Sequence, residues 1–398
     1  MKNGYFLTRF FISRSLSATA AKFAAMEYDE TVYACALNRI FNFNSRCAKT
    51  LTEKFPAPSE IFSLSRTELG RIVGFGGYVD AILDKDYLCM AEKEVEWARA
   101  HGIRIIYIKD REYPARLREC PDAPAVLFMK GQKETDLNPA RAVAIVGTRK
   151  ASQYGLTQCR KIIEHLSSLR EKPVIISGLA YGIDICAHLT AMECSMQTIA
   201  VLPTGLDSIY PAAHRGHAVR ITGQGGLVTD FPKGSTPHPV TFLRRNRIIA
   251  GMSDAVILVE SAAKGGGMTT ARLAQSYSRE VLAVPGRMTD KYSEGCNILI
   301  RDNTAAIISS PSDTTKIMNW EDIESEDFNI RLQKIFDNCG YIKRNILLAL
   351  AAETAVDRDT LIEKTGGRPA EILPELTELE LDGIVGTDIY GNYCLKLK

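Results

Sequence analysis

Four short segments carry the residue types that hold an anion. They are Gly147-Thr148-Arg149, Ser177-Gly178-Leu179-Ala180-Tyr181-Gly182-Ile183-Asp184, Phe242-Leu243-Arg244-Arg245-Asn246-Arg247, and Gly265-Gly266-Gly267-Met268-Thr269-Thr270. Glycines let a backbone come close to a ligand, helix N-termini offer N–H groups and partial positive charge, and arginines fork onto phosphate oxygens. Gly147 is followed by Thr-Arg-Lys, so this is not a G-x-G-x-x-G dinucleotide turn, and no G-x-x-x-x-G-K-[ST] loop occurs. The six histidines form no H-E-x-x-H and the ten cysteines no C-x-x-C, so neither a metal nor a cofactor site is expected.

The elements that must position these segments alternate at the tempo of a doubly wound α/β fold. Strands are expected at 143–147, 173–178, 198–203, 225–230, 255–260, 280–286 and 305–310. Their near-continuous Val/Ile runs suit a mostly parallel sheet covered on both faces. Amphipathic segments lie between them, and each anion-holding segment follows a strand or sits in a helix beside one. In such folds the ligand lies outside the carboxyl ends of the strands, near the switch in strand order.

This Rossmann-like core is expected over 142–310. A small helical domain precedes it at 26–105, and an extended connection fills 106–141. Within the helical domain Ser65-x-x-Glu68 has capping-box spacing. Gly74, Gly76 and Gly77 separate two short helices, either as a helix-hairpin-helix turn that presents N–H groups to phosphate or as a plain interhelical turn. An acidic linker is expected at 311–335, then three helices and a hairpin over 336–398, the winged-helix arrangement. The third of those helices, AEILPELTELELDG, is acidic and suits a protein contact better than DNA.

The 398 residues are 45% hydrophobic and 24% charged, which suits several soluble domains and excludes collagen-like or disordered chains. No run reaches the roughly 18 apolar residues of a membrane span. Net charge is +2, but it is unevenly spread: +4 over 1–25, −2 over 26–140, +7 over 141–310 and −7 over 311–398. A basic core beside an acidic module fits a polyanion-binding domain with a separate partner module; uneven solvated surface charge is the plainer alternative. Scattered thiols fit a reducing cytoplasm. Residues 1–25 have no acid and no folded pattern. They suit a mis-assigned start ahead of Met26 better than a transit peptide, and a non-native or disordered extension is expected there.

Taken in order, IVGTRKASQYG, SGLAYGIDICAH, YPAAH, FLRRNRIIAGMSDAVILVES, GGGMTTA and VPG…GCNILIRD resemble the DNA-processing protein A family (DprA, also called Smf) over about 142–310. The helical N-terminal domain and C-terminal winged helix match that family's layout. The resemblance implies a non-enzymatic protein that binds single-stranded DNA in a basic pocket, forms a homodimer, and loads the recombinase RecA in natural transformation. The implied DNA-binding residues are Gly147, Thr148, Arg149, Ser177, Gly178, Tyr181, Lys233, Phe242, Arg245, Asn246, Arg247, Gly265, Gly266, Gly267 and Thr269, with Lys264 a further candidate. Tyr181 stands where many members have arginine, and Gly265 where the loop usually has serine.

Each of these residues has a second reading. Arg149 and Arg247 could tie loops together, Arg245 and Asn246 could bond internally, and Phe242 could anchor its helix. His188 reads as a hydrogen-bonded helix residue and Asp184 as a helix cap. A different class of function also competes: Rossmann-like enzymes that hydrolyse nucleoside monophosphates carry P-G-G-x-G-T-x-x-E. No Glu follows the loop here, where the chain reads Thr269-Thr270-Ala271-Arg272.

Overall fold

The computed structural model describes residues 28–74, 76–320, 335–336, 339–352, 355–388 and 391–396. The expected extension at 1–25 lies outside them, as does 321–334 of the expected linker. The described residues up to Trp320 form one compact unit and those from 335 onward a second.

The first unit opens with six helices: α1 Glu30–Ile40, α2 Ser45–Lys54, α3 Pro58–Ser63, α4 Arg66–Val73, α5 Gly77–Leu83 and α6 Asp86–Ala100. Asp29 caps α1 by accepting the Thr31 N–H, and Ser65 with Glu68 closes the capping box that starts α4. Helices α4 and α5 meet at the glycine turn, with Gly74 at φ +79° and Gly76 at φ +136°.

The sheet elements follow: β1 Arg104–Tyr107, α7 Ala115–Glu119, β2 Val126–Gly131, β3 Ala142–Val146, α8 Gln153–Ser167, β4 Val174–Ser177, α9 Ile183–Glu193 and β5 Thr198–Val201. After these come α10 Arg215–Thr222, β6 Gly225–Thr229, α11 Pro239–Gly251, β7 Ala255–Leu258, α12 Gly266–Ser276, β8 Glu280–Ala283, α13 Glu294–Arg301, β9 Ala306–Ile307 and α14 Asp313–Ile317. Among the described residues they build a nine-stranded sheet in the order β1-β2-β6-β5-β4-β3-β7-β8-β9. Strands β3 to β9 pair in parallel; β1 and β2 are antiparallel.

Alternate residues of each central strand enter opposite cores, as strand geometry requires. Ala142, Ala144 and Val146 pack on one face with Val256 and Leu258, while Val143 and Ile145 pack on the other with Ala255 and Ile257. Both faces are covered, which explains the uninterrupted apolar strands.

Two of the expected boundaries shift. The stretch 106–141 is no mere connection: β1 and β2 extend the sheet beyond β6, with Phe128 opposite Thr229. The strands are short, and antiparallel edge pairing leaves no strand–helix tempo to detect. The helical segment also docks on the sheet, since the side-chain amides of Asn38 and Asn42 donate to the carbonyl of Asp230 at 2.8 and 3.1 Å. Further along, residues 311–320 belong to the first unit rather than to a linker. Trp320 is buried in the second-face core and the Arg141 guanidinium lies 5.7 Å from its ring centroid.

The second unit contains α15 Tyr341–Ala352, α16 Arg358–Thr365, α17 Pro369–Leu381 and the hairpin β10 Val385–Thr387 with β11 Tyr393–Leu395. Its core gathers Ile346, Leu350, Leu361, Ile372, Leu376 and Val385. Part of the acidic charge of α17 is answered within the unit, where Lys343 lies 2.9 Å from Glu378 and 3.5 Å from Glu375. The ten cysteines form no disulfide. Among the described residues no helix is long and apolar enough to cross a membrane.

Candidate nucleic-acid interface

From β3 the chain steps outward through β4, β5 and β6, then returns to place β7 on the other side of β3. The crevice above this reversal is where an open α/β sheet takes its ligand. It holds a cavity of about 660 Å³, lined by Gly147, Thr148 and Arg149 after β3, by Phe242, Arg245 and Asn246 of α11, and by Gly265, Gly266 and Gly267 at the start of α12. Three of the four segments singled out by residue type therefore converge on one cavity, and the fourth reaches it through Ala180 and Asp184.

Close packing shapes the loops around it. Gly182 has φ +75°, and a side chain there would collide with the Thr148 carbonyl. The Thr148 N–H donates to the Glu260 carbonyl at 2.7 Å, which ties the β3 and β7 loops together. The Glu260 carboxylate accepts from the N–H and hydroxyl of Ser152 at the start of α8.

At the mouth the exposed Arg149 guanidinium lies 4.7 Å from the ring centroid of Phe242. The Tyr210 ring meets Phe242 edge-on at 5.3 Å. The mouth thus offers a cation and two rings together, which suits a phosphate joined to a planar base.

The floor is polar and buried. Arg245 donates from Nη1 to the carbonyls of Gly178 and Val201 at 2.6 and 2.7 Å, and from Nε to Oδ1 of Asn246 at 3.1 Å. Burial draws its pKa down to about 10, against the attraction of Asp184. Burial likewise raises the Asp184 carboxyl above its usual range, opposed by Arg245 and by backbone N–H groups of Ala180 and Gly178. Behind them His188 bonds to the Thr198 hydroxyl at 2.7 Å. Its pKa is pushed down to about 3 by burial, with Arg245 and His214 adding to the effect.

Several expected contact residues lie elsewhere. Arg247 does not face the cavity: it is buried, paired with Asp230, and donates to the Asp122 carbonyl. The reason is helical geometry, since residues two apart point about 200° from each other. With Arg245 on the cavity side, Arg247 must face away. Ser177 is buried at the end of β4, its hydroxyl donating to the Ile145 carbonyl. Gly178 lies against the Arg245 guanidinium, with no room for a side chain. Tyr181 is exposed but outside the lining, edge-on to His214 at 4.7 Å. Lys233 sits over Trp97 at 5.0 Å, beside the helical segment. In α12 it is Thr270, not Thr269, that lines the cavity, again one residue around a helix.

The lining also holds residues that sequence reasoning passed over as site residues: Tyr210, Pro237, His238, Pro239, Ser261 and Tyr292. One local signal was available for them. Pro239 stands at the first position of α11, and His238 caps that helix reciprocally with Thr241.

The fold and site define a doubly wound α/β protein with a glycine- and arginine-lined crevice at its topological switch point, followed by a separate winged helix. The family model described as DNA recombination-mediator protein A matches residues 104–319, beginning where β1 begins, and one described as DprA winged helix domain matches 342–387. The chain belongs to the DNA-processing protein A family. It is 33% identical over 311 residues to the putative DNA processing protein DprA of Mycobacterium tuberculosis, covering 74% of this chain and 77% of that one. It is 33% identical over 321 residues to protein Smf of Escherichia coli, covering 77% and 82%. The X-ray structure of DNA processing protein A from Streptococcus pneumoniae matches with a TM-score of 0.62 and 30% identity, over 73% of this chain and 98% of that one.

Proposed function

We propose that this chain binds single-stranded DNA in the switch-point cavity and serves recombination as a mediator, with no chemical step of its own. The observation that carries the reading is the Arg149 guanidinium over the Phe242 ring at the cavity mouth. A phosphate would rest on Arg149 and the N–H groups at the start of α12, while its base stacks on Phe242 and Tyr210. Stacking needs an unpaired base, so a single strand is preferred over a duplex. It uses the face of the base rather than its edge, so sequence preference is slight. Arg245 and Asn246 hold the floor, and Arg247 fixes α11 from behind.

The proposal extends to what membership of the family implies: loading of RecA onto the bound strand, action as a homodimer, and a cytoplasmic setting. The acidic α17 suits a protein contact in that work. Hydrolysis of nucleoside monophosphates is disfavoured, because no acid follows the glycine loop, where the chain reads Thr269-Thr270-Ala271-Arg272.

The test is fluorescence anisotropy of a labelled oligo-dT across a salt series, with duplex DNA as competitor. Tight, salt-sensitive, single-strand-selective binding that Arg149→Ala weakens supports the reading. Weak binding indifferent to Arg149, or turnover of a nucleoside monophosphate, overturns it.

A further inference from the structure

The cavity mouth is not the only place where α11 takes part in a pairing of guanidinium with phenyl ring. On the other side of the helix the Arg244 guanidinium lies 4.6 Å from the ring centroid of Phe43, in the turn between α1 and α2. Phe43 is 64% exposed, unlike Phe41 two residues earlier, which is buried. Arg244 makes one hydrogen bond through Nη2, a long one of 3.4 Å to the Ser45 hydroxyl, and its Nε has no partner among the described residues. The two ring–guanidinium pairs are joined by a short ridge. Leu243 lines the cavity and is 50% exposed, Val240 lies one turn earlier and is also exposed, and Arg244 follows directly.

We propose that Phe43 and Arg244 form a second stacking station for single-stranded nucleic acid, reached from the cavity by crossing the Leu243 ridge of α11. The inference rests on the proposed single-strand binding at the cavity. Continuity carries it: Phe242 and Arg244 are two residues apart on one helix and point to opposite sides, so a strand leaving the Phe242 ring over Leu243 arrives at Phe43. A helix with side chains is about 10–12 Å across, a distance that a few nucleotides span. Charge agrees with this occupant. Arg46 is exposed in the first turn of α2, and that turn contains no acid. Guanidinium backing leaves the exposed part of the ring open to a base, and an arginine beside it answers a phosphate. The helical segment, whose net charge is slightly negative, thereby gains a local cationic, aromatic step continuous with the cavity.

The test uses the full chain and two labelled oligo-dT ligands, a short one that fills the cavity alone and a longer one that crosses the ridge. Phe43→Ala is expected to weaken the longer ligand roughly ten-fold, the loss of one stacked base, and to leave the short one unchanged. Phe43→Trp is expected to restore the longer ligand's affinity. If Phe43→Ala binds both lengths as the unaltered protein does, while Arg149→Ala weakens both, the second station is overturned and the cavity reading stands. If the unaltered protein binds neither length, the cavity reading fails and takes the station with it.

Discussion

The Arg149 guanidinium stands 4.7 Å from the centroid of the Phe242 ring, so the one exposed cation among the arginines lining the cavity is held against an aromatic face. Arg149 comes from the loop after β3 and Phe242 from α11, ninety-three positions further along the chain. Their meeting places a cation against an aromatic ring at the cavity mouth, the pair on which the proposed single-strand binding rests.

Those two residues should fail differently. Arg149→Ala is expected to weaken oligo-dT binding and to reduce the slope of log affinity against log salt by about 0.7, the value for one lost phosphate contact on a single strand. Phe242→Ala is expected to cost about 1–3 kcal/mol with the salt slope unchanged. In the double variant the losses should not add, because the side chains touch. Anisotropy titrations at several salt concentrations check all three, and identical slopes in both single variants would refute the division of labour.

Arg247 is expected to matter for folding rather than for DNA. Removing it leaves Asp230 buried and unpaired, and Oδ1 of that carboxylate already lacks a partner among the described residues. Arg247→Ala should therefore lower stability by about 3–5 kcal/mol. Arg247→Met with Asp230→Leu should recover much of that loss. Urea denaturation measures both, and a stable Arg247→Ala protein with weakened DNA binding would reverse the assignment.

Gly178 has no space for a methyl group, since one would fall on the Arg245 guanidinium. Gly178→Ala is expected to displace that guanidinium from the Gly178 and Val201 carbonyls and to cost about 1–3 kcal/mol. Thermal melting reports the cost. A variant that melts with the parent protein would show that the floor yields more easily than its packing indicates.

His188 gives a pH signature. Its folded pKa is pushed down to about 3, against about 6.5 in an unfolded chain, so below pH 6.5 the unfolded state takes up a proton that the folded state refuses. Stability from this residue is present above pH 6.5 and is lost as pH falls toward 3. Between pH 7 and pH 5 the loss is about 2 kcal/mol. Asp184 and Glu94, both raised by burial, titrate in the opposite sense, so the test is a difference. Urea midpoints should fall less steeply with acid in His188→Gln than in the parent. Equal slopes would show that His188 is not the source.

Much of this protein follows from local pattern. Apolar runs such as Val143–Val146 and Ala255–Leu258 are strands because both faces of a parallel sheet are buried, and Ser65 with Glu68 starts a helix because the two can cap each other. That the glycine loops and Arg149 would share one rim was legible because loops after parallel strands face one edge of the sheet. Short-range rules, with periods of two and 3.6, reach that far.

Direction and partnership were decided only in three dimensions. Arg245 and Arg247 are the same residue type two positions apart, yet one floors the cavity and the other is buried against Asp230, because α11 turns them about 200° from each other. The antiparallel strands β1 and β2, the docking of Asn38 and Asn42 on Asp230, and the place of Phe43 under Arg244 join segments far apart in the chain. A sequence specifies which side chains can bond or stack; which of them meet depends on the packing of the whole sheet and its helices, where most buried polar groups find a partner.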